Sequence, residues 1–261
     1  MFGDAATDPP QAVEVLNPQG AGVALILCEH ASNHIPARYD GLGLDAEVRS
    51  SHAAWDPGAR SLSLLISAAL DATVVASCVS RLVYDCNRPP EASNAMPVKS
   101  EKFDIPGNQS LSQASREERI ATVYRPFCDA VDDVVAARQA AGRPTVLITM
   151  HSFTPVYFGR PRAVEIGILH DDDSRLANAM LAQAHLLPHR RIERNEPYGP
   201  ADGVTHSLKI HGQVHGFANV MLEVRNDLLR TAEDEQAMAN ELMTLITPAL
   251  ETLTLEGAGR V

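Results

Sequence analysis

Apolar residues along this chain follow two periods. Five short runs, from Val23 to Cys28, Thr73 to Val79, Thr145 to Thr149, Val164 to Leu169 and Asn219 to Val224, are rich in β-branched side chains and bounded by polar or turn residues. Each predicts a strand, and five such runs suit a mixed or parallel sheet. Between the runs, apolar positions recur at helical spacing. Ser115-Arg-Glu-Glu118 has the form of a capping box ahead of Ile120, Val123, Phe127, Val131 and Val135, with Gly142 as the stop and Pro126 expected to kink or divide the helix. A second helix is predicted over Ser174 to Leu187, ended by Pro188, and a third over Glu233 to Leu253, interrupted at Pro248. This alternation predicts an α/β fold: a single-domain, three-layer αβα sandwich with a mixed, mostly parallel central sheet. Pro9-Pro10 and Pro18, set among polar residues, mark residues 1–20 as a flexible N-terminal arm, leaving one domain over 21–261. The stretch from Asn87 to Ser112 carries several prolines and no period, and is expected to be an ordered loop over the site.

Composition narrows the ligand. The 261 residues carry 33 acidic against 22 basic side chains, a net charge of −11, with no Lys/Arg cluster. The footprint of a nucleic-acid or acidic-membrane binder is missing, which points to a small molecule. No apolar run approaches the ~20 residues needed to span a bilayer, and no leader pattern opens the chain, so a soluble, cytoplasmic protein is expected. Cys28, Cys78, Cys86 and Cys128 show no C-x-x-C spacing and are taken as structural.

Two of the strand runs end in a histidine among small and polar residues: His30 in Cys28-Glu-His-Ala-Ser-Asn33, and His151 in Met150-His-Ser-Phe-Thr-Pro155. In an open α/β sheet the ligand crevice lies outside the carboxyl ends of the strands, where two such histidines can meet. Neutral imidazole is the commonest metal ligand, and catalytic zinc usually takes three protein ligands, so a third is required. Glu29, Asn33, His34 and Asp56 are the candidates. Asp56 is equally placed to cap the helix that follows it.

Glu223 interrupts an otherwise apolar strand, and a buried carboxylate must be paired, protonated or beside a metal. Desolvation raises its pKa toward that of a general base for water. The alternative is a structural ion pair with Arg225. Arg81, Asn87 and Arg88 fall within Ser80-Arg-Leu-Val-Tyr-Asp-Cys-Asn-Arg88, where a guanidinium is suited to carbonyl polarisation or to bidentate carboxylate binding, and Asp85 to orienting Arg88. Asn195 and Tyr198, and the segment from His206 to His211, sit in expected pocket-lining loops. Ser152 lacks the G-x-S-x-G elbow of a serine hydrolase.

At these residues the chain resembles the N-formylglutamate amidohydrolase family. The matching stretches are CEHASNHIP at 28–36, HAAWDPGA at 52–59, SRLVYDCNRPP at 80–90, FDIPGN at 103–108, YRPF at 124–127, HSFTPVYFGRPR at 151–162, NEPYG at 195–199 and LEVRNDL at 222–228. Their order is also similar to that of the zinc carboxypeptidase and aspartoacylase group, which cut an amide beside a free carboxylate. The resemblance implies a phosphorylase/hydrolase-like catalytic domain, with His30 and His151 as metal ligands and Glu223 and Arg81 as catalytic residues. Asn87, Arg88, Arg225, Asn195, Tyr198 and His211 would then bind substrate. Where the wider group has His-x-x-Glu this chain has His30-Ala-Ser-Asn33, and Asp56 is the replacement ligand expected. The implied cofactor is a divalent metal, zinc or else cobalt. The implied partner is a small N-acyl amino acid, acted on by a monomer or small homo-oligomer, with histidine degradation as the implied setting. The alternatives are a deacylase for another N-acyl substrate and a metal-free homologue that binds a small acid without turnover.

Overall fold

The apolar runs lie side by side, because buried backbone N–H and C=O groups must find partners in a ladder. The computed structural model describes residues 11–258. Its strands are β1 (Val13–Leu16), β2 (Ala24–Cys28), β3 (Thr73–Ser77), the short pair β4 (Lys99–Ser100) and β5 (Phe103–Asp104), β6 (Val146–Phe153), the short pair β7 (Val156–Tyr157) and β8 (Arg160–Pro161), β9 (Ile166–Leu169), β10 (Ile192–Arg194) and β11 (Ala218–Arg225). Seven form one sheet in the order β1-β3-β2-β6-β11-β9-β10. Four of the five inner strands, β3, β2, β6 and β11, are mutually parallel, whereas β1 runs antiparallel to β3, and β9 antiparallel to β11 with β10 parallel to it. The helices are α1 (Ala46–Ser50), α2 (Ala59–Leu70), α3 (Gln113–Arg119), α4 (Arg125–Ala140), α5 (Arg175–Leu181) and α6 (Ala232–Ala258).

The two-residue period of the strands sorts the core into two layers. Ile26, Cys28, Ile148, Met150, Val220 and Leu222 face Leu62 and Ile66 of α2, Met180 of α5, and Leu242 and Ile246 of α6. Leu25, Leu27, Val75, Leu147 and Met221 face Phe127, Val131 and Val135 of α4. Each fully buried Leu or Ile contributes about 1.5–3 kcal/mol. Continuing the alternation past Leu27, Thr149 and Met221 puts Glu29, His151 and Glu223 on this second face, toward the carboxyl ends of three adjacent parallel strands. The single α/β domain with a mixed, mostly parallel sheet is as expected.

Some local expectations are corrected and others are met. Residues 1–10 of the expected arm lie outside the described residues, but Val13–Leu16 is an edge strand rather than part of an arm. The N-cap of α3 is Ser112, whose Oγ accepts from Ser115 N at 3.1 Å, rather than Ser115 itself. Pro126 has no N–H to give back along the helix, and a π turn over Ile120–Tyr124 separates α3 from α4. The second predicted helix is shorter than expected: α5 ends at Leu181, and Ala184–Leu186 is a separate 3₁₀ turn. Pro248 does not interrupt α6, where Leu245, Ile246, Ala249 and Leu250 all pack on the core on either side of it. The Asn87 to Ser112 segment is ordered by Asn108, whose Nδ2 donates to the carbonyls of Leu82 and Pro97, both at 2.8 Å. Among the described residues no helix is long and apolar enough to cross a membrane.

Candidate metal and catalytic site

Four chain segments meet at the carboxyl end of the parallel strands. Glu29 and His30 directly follow β2, His151 lies in β6, and Glu223 in β11 is the direct register partner of His151. Asp56 arrives on the turn before α2, held by a bond from its own backbone N to the His30 carbonyl at 3.0 Å. Gly58, not Asp56, is the N-cap of α2, so the Asp56 side chain is released from the capping role.

That side chain points inward. Asp56 Oδ2 lies 3.1 Å from His30 Nδ1 and 2.9 Å from His151 Nδ1, and the two Nδ1 atoms are 3.2 Å apart. All three residues are buried. Two imidazole nitrogens and a carboxylate oxygen turned toward one point form the N₂O donor set that suits a divalent transition cation. Each ring is also backed by a carboxylate. His30 Nε2 bonds Asp85 Oδ1 at 2.7 Å, and His151 Nε2 lies 3.3 Å from Glu29 Oε2, off the line of a hydrogen bond. A carboxylate at Nε2 keeps the proton there and leaves the Nδ1 lone pair for a metal. The donors present therefore fit a divalent ion. Of the other candidates for a third ligand, Glu29 stands behind His151. Asn33 is exposed, and no helix covers 30–34 to bring His34 onto the face of His30.

The electrostatics follow from burial and charge. Burial pushes the Asp56 and Asp85 carboxyls up, but the neighbouring histidines and Arg81 outweigh it and hold both below the ordinary carboxylate range. Glu29 is lowered in the same way, chiefly by His151. Glu223 goes the other way. Burial, reinforced by the Asp56 charge, pushes it up to about 7 against the pull of His151 and His30, and its Oε2 has no hydrogen-bond partner among the described residues. The expected alternative of an ion pair with Arg225 is not realised, because Asp227 takes that guanidinium at 2.7 Å.

A cavity of about 160 Å³ opens on these groups, and Arg81, Asn87, Arg88 and Tyr198 line it. Arg81 donates to Asp56 Oδ1 at 3.2 Å and to Asp85 Oδ2 at 2.9 Å, so the Asp85 carboxylate orients Arg81 and His30 and not, as expected, Arg88. Arg88 donates to the Asn87 carbonyl at 2.8 Å and has no carboxylate within ion-pair distance among the described residues. Asn87 differs from expectation. Its Nδ2 donates to the Val204 carbonyl at 2.6 Å and its Oδ1 accepts from Ser207 N at 3.0 Å, so its amide ties the 204–207 loop to the cavity wall. Tyr198 is delivered by close packing. Gly167 stands opposite Glu223 in the ladder, and any Cβ there would strike the Glu196 carbonyl, so only glycine lets that segment approach the sheet.

Three expected substrate-binding residues do not line the cavity. Asn195 accepts from His170 N at 2.8 Å and ties together the carboxyl ends of β9 and β10. His211 is buried against Phe127, with its pKa pushed down to about 4 by burial. Arg225 is captured by Asp227 and by the Arg162 carbonyl. Conversely, sequence reasoning missed His52 and Glu101 as cavity residues, and Glu29 as the group behind His151. The prior signals were that Glu29 and His52 fall within the motif stretches quoted above and that Glu29 was a candidate for the third ligand.

Residues 23–230 match the family model described as N-formylglutamate amidohydrolase. In structure the chain is similar to a gene product of Agrobacterium tumefaciens, with 54% identity, a TM-score of 0.92, and coverage of 94% of this chain and 96% of that one. It shares its fold with N-formylglutamate amidohydrolase from Ralstonia eutropha, at 19% identity and a TM-score of 0.67, over 94% of this chain and 99% of that one. No curated protein matches it.

Proposed function

The chain belongs to the N-formylglutamate amidohydrolase family and is a hydrolase acting on an amide; from that premise we propose that it splits N-formyl-L-glutamate, or a closely related N-acyl amino acid, into the acid and the free amino acid, with a divalent metal held by His30, His151 and Asp56. The observation that carries this reading is the convergence of two Nδ1 atoms and Asp56 Oδ2 beside a buried Glu223 carboxyl with an unpartnered oxygen. Zinc, the first choice for such donors, supplies Lewis acidity toward oxygen and brings the ionisation of water near neutral pH.

The remaining steps belong to the protein's own groups. Glu223, with its pKa near that of a working base, takes a proton from the attacking water and returns it to the amide nitrogen as the C–N bond breaks. Arg81, pinned by Asp56 and Asp85, presents its charge to the carbonyl oxygen as that oxygen becomes anionic. Arg88, free of an ion pair, binds the carboxylate beside the scissile amide.

The test is metal analysis of the purified protein, followed by assay on N-formyl and N-acetyl amino acids before and after chelation. Turnover of N-formyl-L-glutamate that is lost to chelator and restored by zinc or cobalt is expected; a metal-free protein inert under both ions sinks the proposal. The carboxylates behind the histidines give a finer check. Asp85→Asn is expected to weaken zinc retention by roughly 10–100-fold. Glu29→Gln should weaken it less, because its contact is longer and off line. Competition against a chromogenic chelator measures both, and undiminished retention in Asp85→Asn removes its role behind His30.

A further inference from the structure

Resting on the proposed hydrolysis, an acidic substrate such as N-formylglutamate brings two carboxylates into the cavity. Of the two arginines lining it, Arg81 is already paired with Asp56 and Asp85, which leaves Arg88 for one carboxylate. A further nitrogen base lines the cavity from outside the catalytic cluster. His52 lines the same cavity, with Nε2 bonded to Glu101 Oε2 at 3.0 Å. Glu101 is an unusual residue to find there. It sits at the tip of the β4–β5 hairpin with φ of 49°, in the left-handed region that a side chain with a Cβ adopts at a cost. Its side chain is only 9% exposed despite that position, because it turns into the cavity wall. Its second oxygen accepts from Phe158 N at 2.8 Å, so the same carboxylate joins this hairpin to the β7–β8 hairpin. The strained backbone thus places a carboxylate that fixes the His52 ring, and with Nε2 engaged, Nδ1 is the ring's remaining polar atom.

We propose that His52, held by Glu101, is the specificity-determining residue that reads the side-chain carboxylate of an acidic N-acyl amino acid, while Arg88 holds the carboxylate beside the amide. Donating from Nε2 to Glu101 and from Nδ1 to the substrate, the one ring joins the two carboxylates. A neutral isostere of the substrate forgoes that charge-assisted bond.

The experiment compares kcat/KM on N-formyl-L-glutamate with that on N-formyl-L-glutamine, using zinc-loaded wild type, His52→Ala, His52→Gln and Glu101→Gln. Wild type is expected to favour the glutamate compound. In His52→Ala the ratio should fall by roughly 10–100-fold, the worth of one hydrogen bond to a charged group, with the loss carried by KM for the glutamate compound rather than by kcat. His52→Gln, which retains an N–H donor, should recover part of the ratio. Glu101→Gln keeps an acceptor for Phe158 N, tests the same point if His52→Ala fails to fold, and should lower the ratio in the same direction. A wild-type preference for the neutral compound overturns this assignment, as does an unchanged ratio in both His52→Ala and Glu101→Gln. Absence of turnover on both compounds by zinc-loaded wild type overturns the proposed N-formylglutamate substrate, and this assignment with it.

Discussion

Glu223→Gln is expected to lower kcat by about 10²–10⁴-fold, the usual worth of a positioned general base, while raising the stability of the metal-stripped protein. Both effects have one cause. Glu223 is buried, one of its carboxylate oxygens lacks a partner, and its pKa stands near 7 against an ordinary 4.5. A carboxyl whose folded-state pKa is raised contributes stability that is fully present below the unfolded value and is lost as pH rises through the folded value. Between about pH 4.5 and 7 the wild type should therefore lose roughly 3 kcal/mol that the glutamine variant keeps. At pH 8 the metal-stripped variant should melt several degrees higher. Thermal melts across that window, together with steady-state kinetics, measure both. The acid limb of the wild-type rate profile should lie at or below about 7, since a bound cation adds positive charge beside this carboxyl, and residual activity of the variant should lack that limb. Near-normal turnover, or a lower melting temperature at pH 8, removes Glu223 as the base.

Asp56→Asn should have the second largest effect, and it separates the two roles that the sequence leaves open for this residue. As a helix cap, Asp56 would be worth about 1 kcal/mol, and its replacement by Asn, itself a good cap, would cost little. As a ligand with Oδ2 on two imidazoles and Oδ1 on Arg81, its carboxylate serves three groups at once. Removing one partner from a buried charged cluster typically costs about 3–5 kcal/mol. Zinc content should fall to the level of the chelated protein, and activity with it. The sign of the pH dependence is opposite to that of Glu223: the Asp56 pKa is depressed, so its contribution is present above its ordinary 3.8 and is lost progressively below it. The stability gap between wild type and variant is thus expected to narrow in acid. Normal zinc content in the variant, measured by elemental analysis after gel filtration, would return Asp56 to a merely structural role.

Much of the scaffold was legible because a strand buried on both faces has few ways to be written. Uninterrupted apolar runs such as Ala24–Cys28 and the first half of β6 read as strands whatever their neighbours, and His30, His151 and Glu223 stand out against them as polar residues at strand ends. The edge strands Val13–Leu16 and Ile192–Arg194 were not legible. They are short, part-polar and paired along one side, so their strand character comes from β3 and β9 rather than from their own residues. The same holds for the continuity of α6 across Pro248, where core packing outweighs a lost backbone bond.

By itself, then, the sequence determined the alternation of elements, the residue types of the chemistry and the strand ends on which most of it stands. These depend on period and composition, which are local properties. The tertiary structure alone decided the geometry among segments distant along the chain: that Asp56 meets both histidines instead of capping α2, that Asp85 and Glu29 stand behind the rings, and that the Asn87 amide serves a loop. It also decided that Asp227 draws Arg225 away from the cavity and that a strained Glu101 brings His52 into its wall. A polar side chain in a closed interior is assigned by whichever partner lies within about 3 Å, and that partner is selected by the packing of the whole domain.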